Sequence, residues 1–310
     1  MIKVFIDGKE GTTGLRIFER LGGRSDIELI TLPEELRKDR DARREAIHAA
    51  DTVFLCLPDA AAIEAAALAE GSRARIIDAS TAHRTNPFWD YGFPELSKAM
   101  RESIYASSRV ANPGCHASGF ISLVRPLVDR GILPKDALLT CHSVTGYSGG
   151  GKKMIAQYEE NKDDLLLSSP RQYGLSQSHK HLPEMSVVGG VVNMPVFSPI
   201  VSNFYSGMEV TVPLFKSQLC EGKTAEHIKE AYRELYTGPV VKYAEGCDES
   251  GFLSATSLAG KDSMEISVHG NGDRIILVSR YDNLGKGASG AAVQCFNIMH
   301  GCDETLGLEL

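Results

Sequence analysis

The feature that most constrains this chain is the alternation of short apolar runs and helical stretches over its first eighty residues. Lys3 to Ile6 is an apolar run. A glycine-rich turn follows, Gly8-Lys-Glu-Gly11-Thr12-Thr13-Gly14, and then a helical stretch from Leu15 to about Leu21. Asp26 to Leu32 reads as a second strand, stopped by Pro33, and Arg37 to Ala50 as a charged helix. Thr52 to Leu57 is a buried-type strand closed by Pro58, Ala60 to Glu70 an alanine-rich helix, and Arg75 to Ala79 a fourth strand. Strands separated by helices of this length join by right-handed crossovers into a parallel sheet.

Beyond about residue 115 the texture changes. Ala137 to Thr145, Gly189 to Val196, Met208 to Pro213, Met264 to Val268 and Arg274 to Tyr281 read as strands, spaced irregularly among loops and helices. Gly287 to Met299 reads as a helix. The expected class is therefore α/β: a Rossmann-type parallel-sheet domain and an α+β domain with a mixed sheet. The 310 residues are enough for two such domains.

Bulk properties exclude several functions. A formal net charge of −7 speaks against a nucleic-acid or anionic-membrane surface, which needs a basic face. No apolar run approaches the ~18 residues of a membrane span, and the opening residues lack the pattern of a secretory signal. Seven scattered cysteines with no C-x-x-C pair fit free thiols in a reducing compartment. The expectation is a cytoplasmic protein acting on a small molecule.

Gly8, Gly11 and Gly14 lie at the first strand-to-helix turn. Glycine there lets backbone N–H groups approach a pyrophosphate at a helix N-terminus. No Gly-Lys-Ser/Thr follows, so the turn is not a phosphate loop of the nucleotide-hydrolase type. After the second strand, Glu34 and Glu35 suit a ribose, whereas Arg37 and Lys38 suit a 2′-phosphate. The pattern admits both.

Ala111-Asn112-Pro113-Gly114-Cys115-His116 is the most informative segment. Pro113 and Gly114 bend the chain just before Cys115, and Ala117 to Val128 is helical in pattern. Cys115 thus falls at a helix N-terminus, where the dipole and free N–H groups favour a thiolate. Such a thiolate attacks a carbonyl or an acyl phosphate, and the same N–H groups can hold the oxyanion. Further on, Ser178-His179-Lys180-His181-Leu-Pro183-Glu184 gathers two imidazoles and a carboxylate. One histidine can serve as general acid or base, with Glu184 orienting it. The same triplet also resembles part of a zinc ligand set, which keeps a metal-dependent hydrolase open as an alternative. A non-catalytic dinucleotide-binding sensor is a third possibility, although a sensor needs no poised thiol.

Taken in order, these segments resemble the N-acetyl-gamma-glutamyl-phosphate reductase family in its shorter form, over nearly the whole chain. Beside the glycine loop, the resemblance rests on Asp78-Ala-Ser80-Thr-Ala-His83-Arg84, Tyr91-Gly-Phe-Pro-Glu95 and Asn112-Pro-Gly-Cys115. It continues through Gly146-Tyr-Ser148-Gly149-Gly-Gly-Lys152, His179-x-His181-x-x-Glu184 and Asn283-Leu-Gly285-Lys286-Gly287-Ala-Ser-Gly290. Phe197-Ser-Pro-Ile-Val201 lacks the histidine carried there by longer members, and His83 stands where a phenylalanine is usual.

The resemblance implies a subunit like aspartate-semialdehyde dehydrogenase, the nearest rival reading. Residues 1–114 and 285–310 would form the NADP-binding domain, with the C-terminal helix packing back on it. Residues 115–284 would form the catalytic and oligomerisation domain of a dimer or tetramer. It implies Cys115, His179, His181 and Glu184 as catalytic residues. Gly8, Gly11, Thr12, Thr13, Gly14, Ser80, Gly146, Gly149, Asn283, Gly285, Lys286 and Gly287 would contact NADP. Arg84, Asn112 and Ser148 would contact substrate, Arg84 through the planar fork that suits a phosphate. No resident metal is implied.

Overall fold

The computed structural model describes residues 1–310. The chain forms two compact units: Met1–Pro94 with Lys98–Pro113 and Ala288–Leu308, and Glu95–Ser97 with Gly114–Gly287 and Glu309–Leu310.

The first unit runs β1 (Ile2–Asp7), α1 (Thr12–Gly22), β2 (Ile27–Ile30), α2 (Arg40–Ala49), β3 (Thr52–Leu55), α3 (Asp59–Leu68), β4 (Arg75–Asp78), β5 (Asp90–Tyr91), α4 (Lys98–Ala106) and β6 (Arg109–Ala111). Its six strands are all parallel, in the order β2-β1-β3-β4-β6-β5. Alternation along each strand builds two cores. Val4, Ile6, Phe54 and Ile77 meet Ile17 and Leu21 of α1 and Val293 and Phe296 of the helix Gly290–Met299 on one face. Phe5, Val53, Leu55 and Ile76 meet Ile47, Ala62 and Ala65 of α2 and α3 on the other. A period of two along the strand is what sends neighbouring side chains to opposite layers. Asp7, at the end of β1, is buried on Arg43 of α2, with Nε at 3.0 Å and Nη2 at 2.9 Å from one carboxylate oxygen.

The second unit begins with α5 (Cys115–Asp129), followed by β7 (Thr140–Gly146), α6 (Gly151–Glu160), α7 (Leu165–Ser168), β8 (Arg171–Gln172), α8 (Leu182–Gly189), β9 (Val196–Ser202), β10 (Met208–Phe215), α9 (Ala225–Leu235), β11 (Val241–Tyr243), β12 (Met264–Gly270) and β13 (Arg274–Tyr281). The seven strands follow the order β11-β12-β13-β10-β7-β9-β8, with parallel pairs at both β11–β12 and β7–β9. Met208, Val210, Val212 and Leu214 of β10 point into the buried layer, over which α5 runs.

Pro126 sits inside α5 and cannot donate to the Ser122 carbonyl one turn earlier. The Tyr236 hydroxyl supplies that bond instead at 2.5 Å, and Tyr232 donates to Leu123 beside it. The helix stays continuous across a residue that would otherwise break it.

One expected strand is corrected. Gly189 to Val196 is not extended: α8 ends at Gly189, Gly190 turns left-handed at φ +74°, and the strand starts only at Val196. The valine-glycine run satisfied both a strand pattern and a helix C-terminus, and the αL glycine decided for the latter. The helix expected over Gly287 to Met299 is a π-turn at Gly285–Ser289 followed by the regular helix Gly290–Met299.

Candidate active site

In the first unit, the turn after β1 has the geometry of a dinucleotide cradle. Gly8 holds φ +87°, and a Cβ there would lie 2.3 Å from the Cys56 carbonyl oxygen. A Cβ on Gly14 would lie 2.5 Å from the Gly8 oxygen. Gly11 donates to that oxygen at 3.0 Å and precedes α1 without any side-chain cap. Thr12 and Thr13 open the helix, so its first N–H groups face outward from a bare turn. Beside this turn lies a cavity of about 530 Å³, lined among others by Gly8, Gly11, Leu57, Glu35, Arg37 and Lys38. Arg37 is held by Glu34 at 2.7 Å and Glu10 at 3.3 Å, while Lys38 is exposed. The glycines let the turn pack tightly on its own backbone, and the uncapped start of α1 beside the cavity is what fits a pyrophosphate.

At the end of β4, Asp78 is fully buried and gathers three donors. Ser80 reaches it through its N–H at 2.9 Å and its hydroxyl at 2.7 Å, and His83 Nδ1 stands 2.6 Å away. His83 stacks on Trp89 with centroids 4.0 Å apart. Arg84 is buried, with Nε on the Asn112 carbonyl at 2.9 Å and Nη2 on the Ala79 carbonyl at 3.1 Å. Asn112 donates from Nδ2 to the Ala288 carbonyl at 3.0 Å. Ser80 and Arg84 are thus tied to the strand ends of this sheet, whereas the buried Oδ1 of Asn112 has no hydrogen-bond partner.

The second unit carries the cysteine. Cys115 is the first residue of α5, behind the N-cap Gly114, and is partly exposed, whereas Cys141 and Cys295 are buried. Glu184, only 2% exposed, accepts the Gly114 N–H at 2.8 Å, which ties the start of α8 to the start of α5. The Tyr281 hydroxyl donates to the Cys115 carbonyl at 2.6 Å and accepts the Gly119 N–H at 3.1 Å. Those two groups are the ones a regular helix pairs with each other. Gly119 lets the phenol in, since a Cβ there would lie 2.6 Å from the Tyr281 oxygen.

The imidazoles assemble beside it. His116 lies 5.6 Å from His179 and 5.5 Å from His181, centroid to centroid, and those two are 4.9 Å apart. The His181 N–H reaches His179 Nδ1 at 3.3 Å. His116 Nδ1 meets Ser143 Oγ at 2.7 Å, and Nε2 meets the Tyr173 hydroxyl at 2.7 Å. Burial, with His179 adding to it, drives the His116 pKa down to about 3, so the ring is neutral. His179 is also shifted down, by burial first and by Lys180 second. Burial raises Tyr173, and the nearby Cys115 raises it further. Tyr173 and Ser143 carried no signal in the sequence, and His116 only its place beside the nucleophile.

The remaining expected contacts cluster in this unit around Asn283. Its Oδ1 accepts the Gly207 N–H at 3.0 Å and its Nδ2 donates to Ser148 Oγ at 3.0 Å, with Ser148 buried. Gly146 and Gly149 allow the close approach: a Cβ on Gly146 would lie 2.5 Å from the Tyr205 oxygen, and one on Gly149 3.4 Å from Asn283 Nδ2. Gly285 backs on the Lys261 carbonyl, and a Cβ on Gly287 would lie 3.1 Å from the Cys115 Cβ. Lys286 is buried and gives its ammonium to Glu95, at 3.0 and 2.8 Å from the two oxygens. No group of three or more His, Cys, Asp or Glu side chains is arranged to hold a metal ion.

Comparison with known proteins finds a match for most of the chain. Residues 3–104 match the semialdehyde dehydrogenase NAD-binding domain family, and residues 115–283 the semialdehyde dehydrogenase dimerisation domain family. The chain is 48% identical over 306 residues to N-acetyl-gamma-glutamyl-phosphate reductase of Brucella ovis, covering 96% of this chain and 99% of the relative. The Brucella canis protein of that name matches equally, with the same identity and coverage. Among solved structures, aspartate semialdehyde dehydrogenase from Francisella tularensis aligns with a TM-score of 0.74 at 14% identity, covering 97% of this chain and 100% of that one. At that identity the likeness speaks for the fold alone.

Proposed function

Because the chain belongs to the N-acetyl-gamma-glutamyl-phosphate reductase family, within the semialdehyde dehydrogenases, we propose that it reduces N-acetyl-L-glutamyl 5-phosphate to N-acetyl-L-glutamate 5-semialdehyde and phosphate through a thioester on Cys115. The observation that carries this reading is Cys115 itself: a partly exposed thiol, first in its helix and beside neutral imidazole. The Cys115 thiolate attacks the acyl carbon, the carbon–oxygen bond to phosphate breaks, and phosphate leaves. A nicotinamide cofactor, when bound, supplies the hydride that reduces the thioester. The resulting hemithioacetal loses its hydroxyl proton, the carbon–sulfur bond breaks, and the aldehyde departs from the regenerated thiolate. His179 or His181 gives and takes the protons.

For the cofactor we favour NADP over NAD. Arg37 and Lys38 line the cavity beside the glycine turn and suit a 2′-phosphate, and Gly8, Gly11 and Gly14 suit its pyrophosphate. In this reading the protein works in arginine biosynthesis, in the cytoplasm, as a homo-oligomer. The match to a dimerisation-domain family supports the oligomer.

The test is the reverse reaction: N-acetylglutamate semialdehyde, phosphate and NADP, followed at the nicotinamide absorbance. Aspartate semialdehyde and NAD serve as parallel arms. Faster turnover of aspartate semialdehyde overturns the substrate assignment, and a preference for NAD overturns the cofactor assignment. The Cys115→Ala variant should bind NADPH and turn over nothing; retained turnover removes the thioester.

A further inference from the structure

The relay from Ser143 through His116 to Tyr173 has a direction, and the direction leaves one proton to spend. Ser143 is fully buried on β7, and His116 Nδ1 at 2.7 Å is the hydrogen-bond partner of its hydroxyl. A neutral imidazole has one donor nitrogen and one acceptor nitrogen. If Nδ1 carried the proton, the serine O–H would be a buried donor with no acceptor, an arrangement that folded proteins avoid. Ser143 therefore donates to Nδ1, and the ring proton sits on Nε2. Nε2–H then donates to the Tyr173 oxygen at 2.7 Å, so the tyrosine's own O–H is not consumed by the histidine.

Tyr173 stands in the same cluster as the candidate acid–base residues. Its ring is 6.0 Å from that of His179, its backbone N–H is pinned to the Pro199 carbonyl at 3.0 Å, and His116 directly follows Cys115 on α5.

We propose that Tyr173 is a further catalytic residue, whose O–H donates a hydrogen bond to the acyl oxygen of the intermediate carried on Cys115, with Ser143 and His116 as positioning residues that fix this polarity. The inference rests on the thioester reading above. No proton is transferred along the chain. The hydroxyl stabilises the oxyanion that forms when the thiolate adds and again when hydride adds, and it returns unchanged. Burial and the Cys115 charge both keep Tyr173 protonated, as a donor must be. Burial keeps His116 neutral, so the relay keeps a single polarity.

Tyr173→Phe should lower kcat by roughly 10²-fold, the effect of deleting one oxyanion donor, while iodoacetamide still alkylates Cys115. Ser143→Ala should lower kcat by about fivefold to tenfold by letting both tautomers of His116 coexist, and Ser143→Thr should restore it. In a Tyr173→Phe background, Ser143→Ala should cost nothing more, because it acts only through the phenol. Nitrogen-15 NMR of the histidines should show Nε2 of His116 protonated in the native enzyme and a mixture in Ser143→Ala. If Tyr173→Phe does not fold, Ser143→Ala with its threonine rescue and the NMR carry the test alone. Wild-type turnover in Tyr173→Phe, additive losses in the double variant, or an Nδ1-protonated His116 overturns the proposal. Those results leave the thioester standing so long as Cys115→Ala is dead; a live Cys115→Ala defeats that earlier reading instead.

Discussion

Gly14→Ala is the sharpest perturbation of the cofactor turn. Its Cβ would stand 2.5 Å from the Gly8 oxygen and 2.8 Å from the Lys9 Cα, both backbone atoms, whereas real Cβ atoms essentially never come within 3.0 Å. The turn must therefore open by at least half an ångström, and it cannot do so by rotating a side chain. Gly8 cannot yield easily, because its φ of +87° and its contact with Cys56 hold it in place. A shift of that size takes the first N–H groups of α1 out of line with a pyrophosphate oxygen, and hydrogen bonds to charged groups are worth about 1.5–3 kcal/mol each. Losing one or two corresponds to a rise in the NADPH dissociation constant of roughly 10- to 10⁴-fold. Titration of NADPH fluorescence measures it directly. Gly23→Ala is the control: nothing lies within 4 Å of its Cβ, and its binding should be unchanged. Iodoacetamide alkylation of Cys115, in the other unit, should be the same in both variants. Native NADPH affinity in Gly14→Ala would refute the assignment of this turn to the cofactor.

Two further outcomes follow from the cysteine unit. Because burial and Lys180 lower the His179 pKa, its neutral form persists to lower pH, and the acid limb of kcat/KM in the oxidative direction should fall below the ordinary imidazole value of about 6.5. Lys180→Gln removes one of those causes and should move the limb upward; an unmoved limb gives the proton to His181 and ends the role of His179. Tyr281→Phe removes the hydroxyl shared by the Cys115 carbonyl and the Gly119 N–H. The two can then pair as in a regular helix, so stability should drop by only about 1 kcal/mol in urea unfolding, while the alkylation rate of Cys115 changes as its turn tightens. An unchanged rate would show that the phenol does not position the sulfur.

The parallel sheet was legible because its strands alternate with helices at regular length, and both periodicities are local. The glycine turn and the place of Cys115 at a helix start were legible for the same reason: a Pro-Gly bend and a helical pattern lie within a few residues of each other. What stayed hidden was set by long-range pairing. Ser143 of β7 meets His116 of α5 across 27 residues of sequence, and Tyr173 follows a two-residue edge strand that no periodicity could announce. The spacing of Glu184 from the histidines singled it out, yet the contact it makes with Gly114 spans seventy residues of sequence. Gly189 to Val196 misled because valine and glycine suit both a strand and a helix end, and only the left-handed turn at Gly190 separates them.

The contacts around Cys115 divide the labour in a way that bears on how a nucleophile can be both fixed and reactive. Glu184 holds the N–H of the preceding residue, Tyr281 holds the carbonyl, and Gly287 admits the Cβ. Each of these acts on the backbone or the first carbon of the side chain. By restraining the backbone turn, these contacts fix the origin of the Cys115 side chain, as attack on a positioned acyl carbon requires. Gly287 follows from the same logic: any side chain there would press on the Cys115 Cβ at 3.1 Å and choose its rotamer by repulsion. The bare glycine imposes no such repulsion.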